Sequence, residues 1–96
     1  MNVWILTDEA YHETTILSVH GTEAGGITAW KAARKAMIKK NQGSIQHWRR
    51  KQEQEGAHAS GYIEHCEAEI KALKAATPYT CHAECHPLLR AYEVKQ

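Results

Sequence analysis

Four side chains able to ligate a soft metal fall within six residues, in the stretch Thr80-Cys81-His82-Ala83-Glu84-Cys85-His86. Thiolate and imidazole are zinc's preferred ligands. Cys81/Cys85 and His82/His86 are each four apart, the spacing that shares one face of a helix. One turn cannot easily present all four in a tetrahedron, structural zinc sites usually draw ligand pairs from separate segments, and Pro87 forbids a continuing helix. Cys66 or His65 would have to supply the second segment. The expectation is therefore no metal and no cofactor, with Cys81, His82, Cys85 and His86 as the weak candidates and Cys66 buried as a small hydrophobe. A second group, Asp8-Glu9-Ala10-Tyr11-His12-Glu13, sets carboxylates beside a histidine, the composition of an acid–base or divalent-metal site. A solvated hairpin loop explains it better. Ser18 and His20 share a strand face, but no nucleophile turn or oxyanion-hole glycine loop accompanies them. Gly25-Gly26 lacks the flanking pattern of a phosphate loop. The chain reads as a non-enzyme.

The basic residues carry a stronger signal. Eight of the twelve lie between Lys31 and Lys51, and no acidic residue occurs from Ala24 through Gln52. The net charge of +1 thus conceals a positive middle flanked by all eleven carboxylates. Such asymmetry points outward to a partner. Lys35, Lys39, Lys40, Trp48, Arg49, Arg50 and Lys51 are the expected partner-binding residues. Cations on a backbone track suit phosphates, and an exposed Trp48 indole would stack on an unpaired base. Arg and Trp equally anchor protein interfaces. The plainer alternative makes these the solvated faces of two helices, with Trp48 packed into the core.

Ninety-six residues, 43% of them apolar, make a single domain spanning 1–96. No apolar run approaches the roughly 18–20 residues that cross a bilayer. The opening Met-Asn-Val-Trp-Ile-Leu-Thr has no charged n-region, so a signal peptide is not expected and the cytosol is the default location. Three cysteines, an odd count, fit reduced thiols. Full protonation of the seven histidines would raise the formal charge from +1 to +8.

The elements that would position these groups follow from periodicity. Val3–Leu6 and Thr15–His20 read as strands of a hairpin joined by a longish loop over Asp8–Thr14; apolar residues on both parities of the first suggest a central strand covered on both faces. Ile27, Trp30, Ala33 and Met37 mark a helix that Asn41–Gly43 should stop. Ser44 offers an N-cap to a second helix carrying Ile45 and Trp48, polar beyond that, with Gly56 and Gly61 bracketing a break. Ser60 offers a cap to a third, with the stripe Ile63, Cys66, Ile70 and Leu73 ending at Thr77-Pro78. That stripe would serve a core or a dimer seam. Leu88–Gln96 reads as a closing strand, with Tyr79–Ala83 as a short extra one. The sum is an α+β fold: N-terminal β-hairpin, two to three helices, and a C-terminal strand closing a small antiparallel sheet, with a helical excursion at about 42–60.

Val-Trp-Ile-Leu-Thr-Asp-Glu, then Thr-Ile-Leu-Ser-Val-His-Gly-Thr, then the closing Arg-Ala-Tyr-Glu-Val-Lys resemble small proteins of bacteriophages and mobile elements built as hairpin, helix and closing strand. The resemblance covers about the first 40 residues and the last ten, and 42–60 departs from it. Some phage proteins of this make-up are similar to anti-CRISPR inhibitors. The resemblance implies a phage-encoded inhibitor in the host cytosol that occludes a defence complex, a host protein or ribonucleoprotein, without catalysis. A nucleic-acid-binding accessory protein using residues 31–51 and a zinc-stabilised interaction module are the alternatives. No membrane role is expected, and the chain would act as a monomer or homodimer.

Overall fold

A computed structural model describes residues 1–10, 13–55, 59–83 and 85–95. Strands β1 (Asn2–Ala10), β2 (Glu13–His20) and β3 (Cys85–Glu93) form one antiparallel sheet in the order β2-β1-β3, and helices α1 (Glu23–Glu55) and α2 (Ser60–Ala75) lie between β2 and β3 in sequence. The α+β class, the N-terminal hairpin and the closing C-terminal strand are as the sequence predicts. β1 is indeed central, but α1 covers one of its faces only. The strands also run further than expected. Asp8–Ala10 and Glu13–Thr14 belong to the paired strands instead of the expected loop, and Tyr11 and His12 lie outside the described residues. A bulge between Leu6 and Thr7 leaves Leu17 as the extra residue of β2.

The helices depart most from expectation. Among the described residues there are two, because α1 runs unbroken through Gly43 for 33 residues. Asn41 does not stop it and Ser44 does not cap a new one. Asn41 Nδ2 donates to the Met37 carbonyl (3.0 Å) and Ser44 Oγ to the Lys40 carbonyl (3.2 Å), both bonds back along the same helix. Packing on both sides of Gly43 outweighs its poor propensity: Ile45 is buried, and Ile38, Asn41 and Trp48 are half-buried beside α2. The helix also starts earlier than Ile27. Thr22 Oγ1 accepts from the Gly25 N–H (3.1 Å), a side-chain N-cap, so the Gly25-Gly26 pair forms the first turn instead of a loop. Gly26 is required there, since a Cβ would lie 2.8 Å from Leu89 Cδ1 and 3.3 Å from Trp4 Cβ. α2 is preceded by Ala59 as its N-cap, with no side-chain cap, and Ser60 is its first residue. The expected break at Gly56 lies outside the described residues, and Gly61 is helical. α2 ends at Ala75, with Ala76 extended ahead of Thr77-Pro78.

Trp30, Leu6 and Leu89 form the centre of the core, with Trp4, Ile27, Ala33 and Ala76 packed around them. Trp30 Nε1 donates to the Pro87 carbonyl (3.0 Å), which satisfies the buried indole and ties α1 to β3. Tyr79–Ala83 is not a strand. Thr77 and Thr80 bridge across a turn, and the Leu89 N–H donates to the Pro78 carbonyl (2.7 Å), so the turn covers part of β3's free edge. A 33-residue helix is about 50 Å long while a nine-residue strand is about 30 Å. The C-terminal part of α1 therefore outruns the sheet, and α2 packs back along α1 from Trp48 to Lys35 as a helical hairpin, giving a body 61 × 24 × 18 Å.

Candidate functional site

Continuity of α1 fixes the phase of its cations. At about 100° per residue, Lys31, Lys35 and Arg49 fall within about 40° of one another, and Lys39 and Arg50 widen the stripe to about 100°. All five are exposed. Lys40 and Lys51 fall on the other flank of the helix. Arg34 turns toward the core and lies over the Trp30 ring, 4.5 Å from its centroid. The sequence segment thus divides into one stripe of five and three residues off it. Of the seven expected binding residues, the stripe brings together Lys35, Lys39, Arg49 and Arg50.

α2 extends this surface. Arg49 Nη2 lies 3.6 Å from Glu67 Oε1, which sets Glu67 beside the stripe. Lys71 and Lys74, four and seven residues on, share the Glu67 face of α2. Near the sheet, Lys31, Arg34, Lys35 and Lys74 line an open groove of about 400 Å³ with Ile38 at its base. Four cations and no carboxylate line that groove. Glu67 meets the stripe at Arg49 in a pair that is weak, both partners being more than half exposed. Glu53, four residues beyond Arg49 on α1, closes the stripe in the same helical phase. The hairpin therefore keeps a basic face.

The other flank of the α1–α2 seam is aromatic, since Trp48 lies about 100° round α1 from Arg49. Trp48 stacks on Tyr62, with centroids 4.5 Å apart and planes 8° from parallel, and His47 meets the indole edge-on at 5.4 Å. One indole face is thus taken by the chain itself. Trp48 is half-buried, neither the free stacking platform nor the fully packed core residue that the sequence offered. Tyr62, Lys71 and Lys74 were not singled out from sequence. The lysines flank the apolar stripe of α2 on its Ile63 side, and their place beside α1 needs the hairpin.

The remaining candidate groups do not converge. Among the described residues no three His, Cys, Asp or Glu side chains gather as a metal site. Cys81 Sγ accepts from the Ala83 N–H (3.4 Å), His82 is exposed, and His86 Nδ1 donates to the Ala83 carbonyl (2.6 Å). Cys85 opens β3, and its side chain lies outside what the structure describes, as does Glu84. Cys66 is buried on α2, where burial first and the Glu69 carboxylate second push its thiol up, toward the protonated, unreactive form. Ser18 Oγ and His20 Nε2 are hydrogen-bonded at 2.7 Å, yet no carboxylate among the described residues orients His20. In the former loop segment, Asp8 and Glu9 point to opposite faces of β1. Glu9 accepts from Thr14 Oγ1 (2.7 Å), Thr7 Oγ1 (3.1 Å) and Arg90 Nη2 (2.9 Å). The Thr14 hydroxyl above all, then Thr7 and Arg90, hold its carboxyl below the ordinary range against the opposing effect of burial. These partners use the carboxylate structurally.

Fold and site together define a two-layer α+β domain whose long helical hairpin carries a basic face. Comparison with family models, curated proteins and solved structures finds no match to this chain. No described helix is long and apolar enough to cross a membrane.

Proposed function

We propose that this chain is a non-enzymatic binding protein that docks the basic face of its helical hairpin on an acidic protein surface and acts by occupying it. The observation that carries this reading is the exposed stripe of Lys31, Lys35, Lys39, Arg49 and Arg50 along one side of α1, which Lys74 of α2 extends across the groove. Arg is among the residue types that dominate binding energy at protein interfaces, and the surrounding lysines steer an acidic partner to Arg49 and Arg50. The Trp48–Tyr62 stack weighs against single-stranded nucleic acid, because an indole already stacked has one face fewer for bases. Occlusion needs only a stable shape and a few anchors, which suits a chain this short. The concrete form of the proposal, a phage inhibitor of a host defence complex, is supported by the sequence resemblance.

The test uses the full chain and its Arg49→Glu/Arg50→Glu variant as baits in nuclease-treated host lysate, with gel shifts on DNA and RNA at two salt concentrations. The expected result is one protein partner retained by the parent and lost by the variant at unchanged thermal stability. Equal retention by both baits overturns the docking face. A gel shift that persists at moderate salt moves the assignment to nucleic acid.

A further inference from the structure

The face of the sheet turned away from α1 is open, and its register shows how it is organised. Leu6, Leu89 and Trp4 point to α1, so the alternate residues point outward. Val19, Ile5 and Arg90 form one row of that outer face, Ile16, Thr7 and Leu88 the next, and Thr14, Glu9 and His86 the last. Val3 pairs with Tyr92, and Val94 N–H bonds Met1 O beyond it. One half of the face is polar and internally satisfied, since Arg90 reaches two rows along the sheet to Glu9 (2.9 Å) and Thr7 and Thr14 complete that carboxylate's bonds. The other half is apolar: Val3, Ile5, Ile16, Val19, Tyr92 and Val94. Ile16, Val19 and Tyr92 are exposed by 62%, 59% and 47%, and no described element covers them.

We propose that this outer sheet face is a homodimer interface, with the apolar half of one copy packed on the apolar half of another. The patch has no unpaired charge, because Arg90 and Glu9 neutralise each other at its margin. An occupant must then be flat, apolar and uncharged at its centre, or its own polar groups would be buried without partners. The same patch on a second copy meets that requirement, and a two-fold axis makes the contact self-complementary. The six apolar residues leave about 500 Å² exposed per chain, within the range of functional patches. Two copies would bury about 1,000 Å², the lower bound of a specific interface. α1 lies on the opposite side of the sheet, so dimerisation leaves both basic hairpins free. The inference therefore stands independently of the docking function.

The test is sedimentation equilibrium of the full chain from about 1 to 200 μM, a range that reveals a dimer of micromolar affinity. The parent should pass from monomer to dimer over that range. Ile16→Thr/Val19→Thr keeps β-branched residues on the strand while removing apolar surface, and should weaken association by about 100-fold. Tyr92→Lys, on the opposite edge strand, should also give a monomer, and it decides the matter if the double variant fails to fold by circular dichroism. Arg49→Glu/Arg50→Glu should associate like the parent. A parent that stays monomeric throughout overturns the proposal, including the case in which this face captures some other protein. A dimer indifferent to both sheet variants, or an open-ended series of oligomers from edge pairing, overturns it equally.

Discussion

Replacing Gly43 by alanine tests the continuity of α1, on which the basic face depends. Gly43 sits in the helix interior, its backbone outside the left-handed region, and an added Cβ would meet no atom within 4 Å. The change should therefore stabilise the protein by about 0.5–1 kcal/mol, by restricting the unfolded chain and restoring helix propensity. For a domain this small that corresponds to a rise of about 2–8 °C in Tm. Gly26→Ala is the control with equal propensity gain and opposite outcome. Its Cβ would fall 2.8 and 3.1 Å from the two Leu89 methyls and 3.3 Å from Trp4 Cβ, so a net loss of about 1–3 kcal/mol is expected from overpacking. Urea melts followed by circular dichroism give both values, and an unchanged m-value shows that the same transition is being compared. A Gly43→Ala variant less stable than its parent would mean that the helix breaks there in a conformation only glycine favours. The hairpin and the stripe joining Lys35 to Arg49 would then both be wrong.

Trp30→Phe removes the indole donor to the Pro87 carbonyl and should cost about 1–3 kcal/mol, measured by the same melts; no loss would show that this bond does not tie α1 to β3. Glu9 has a folded pKa below its ordinary value, so its contribution is complete above that ordinary value and disappears as pH falls through the folded one. Glu9→Gln should lower stability at neutral pH by about 1 kcal/mol and flatten the acid limb of the stability curve below about pH 5; an acid limb identical to the parent's would remove the assigned role. Cys66, buried and held protonated, should alkylate more slowly than the partly exposed Cys81 in native buffer and equally fast in denaturant. Equal native rates would show that the α1–α2 seam is open.

The apolar runs Val3–Leu6 and Thr15–His20 and the stripe Ile63–Cys66–Ile70–Leu73 made most of the fold legible, because period-2 and period-3.6 patterns are local properties of the chain. What was missed depends on distant partners. Glu9 and Thr14 look like loop residues until Arg90, from the other end of the sequence, supplies the charge that lets them extend β1 and β2. Gly43 looks like a stop until the residues on either side of it are seen to pack, with Ile45 buried and Asn41 and Trp48 half-buried. Gly25-Gly26 looks like a loop until Leu89 and Trp4 show why Gly26 in the first turn must lack a side chain. The excess of cations at 31–51 was plain in the sequence. Its division into a stripe, a core-facing Arg34 and two residues on the other flank appears only once one helix spans the segment, and Lys74 joins it only through the hairpin.

Hydrogen exchange read by mass spectrometry, comparing the free chain with its captured complex, addresses the docking face most directly. Slowed exchange is predicted across 35–50 of α1 and 62–74 of α2, with the sheet no more protected than in the free protein at the same concentration. Protection confined to β1 and β2, or none in the hairpin, would contradict the proposal that the basic face makes the contact.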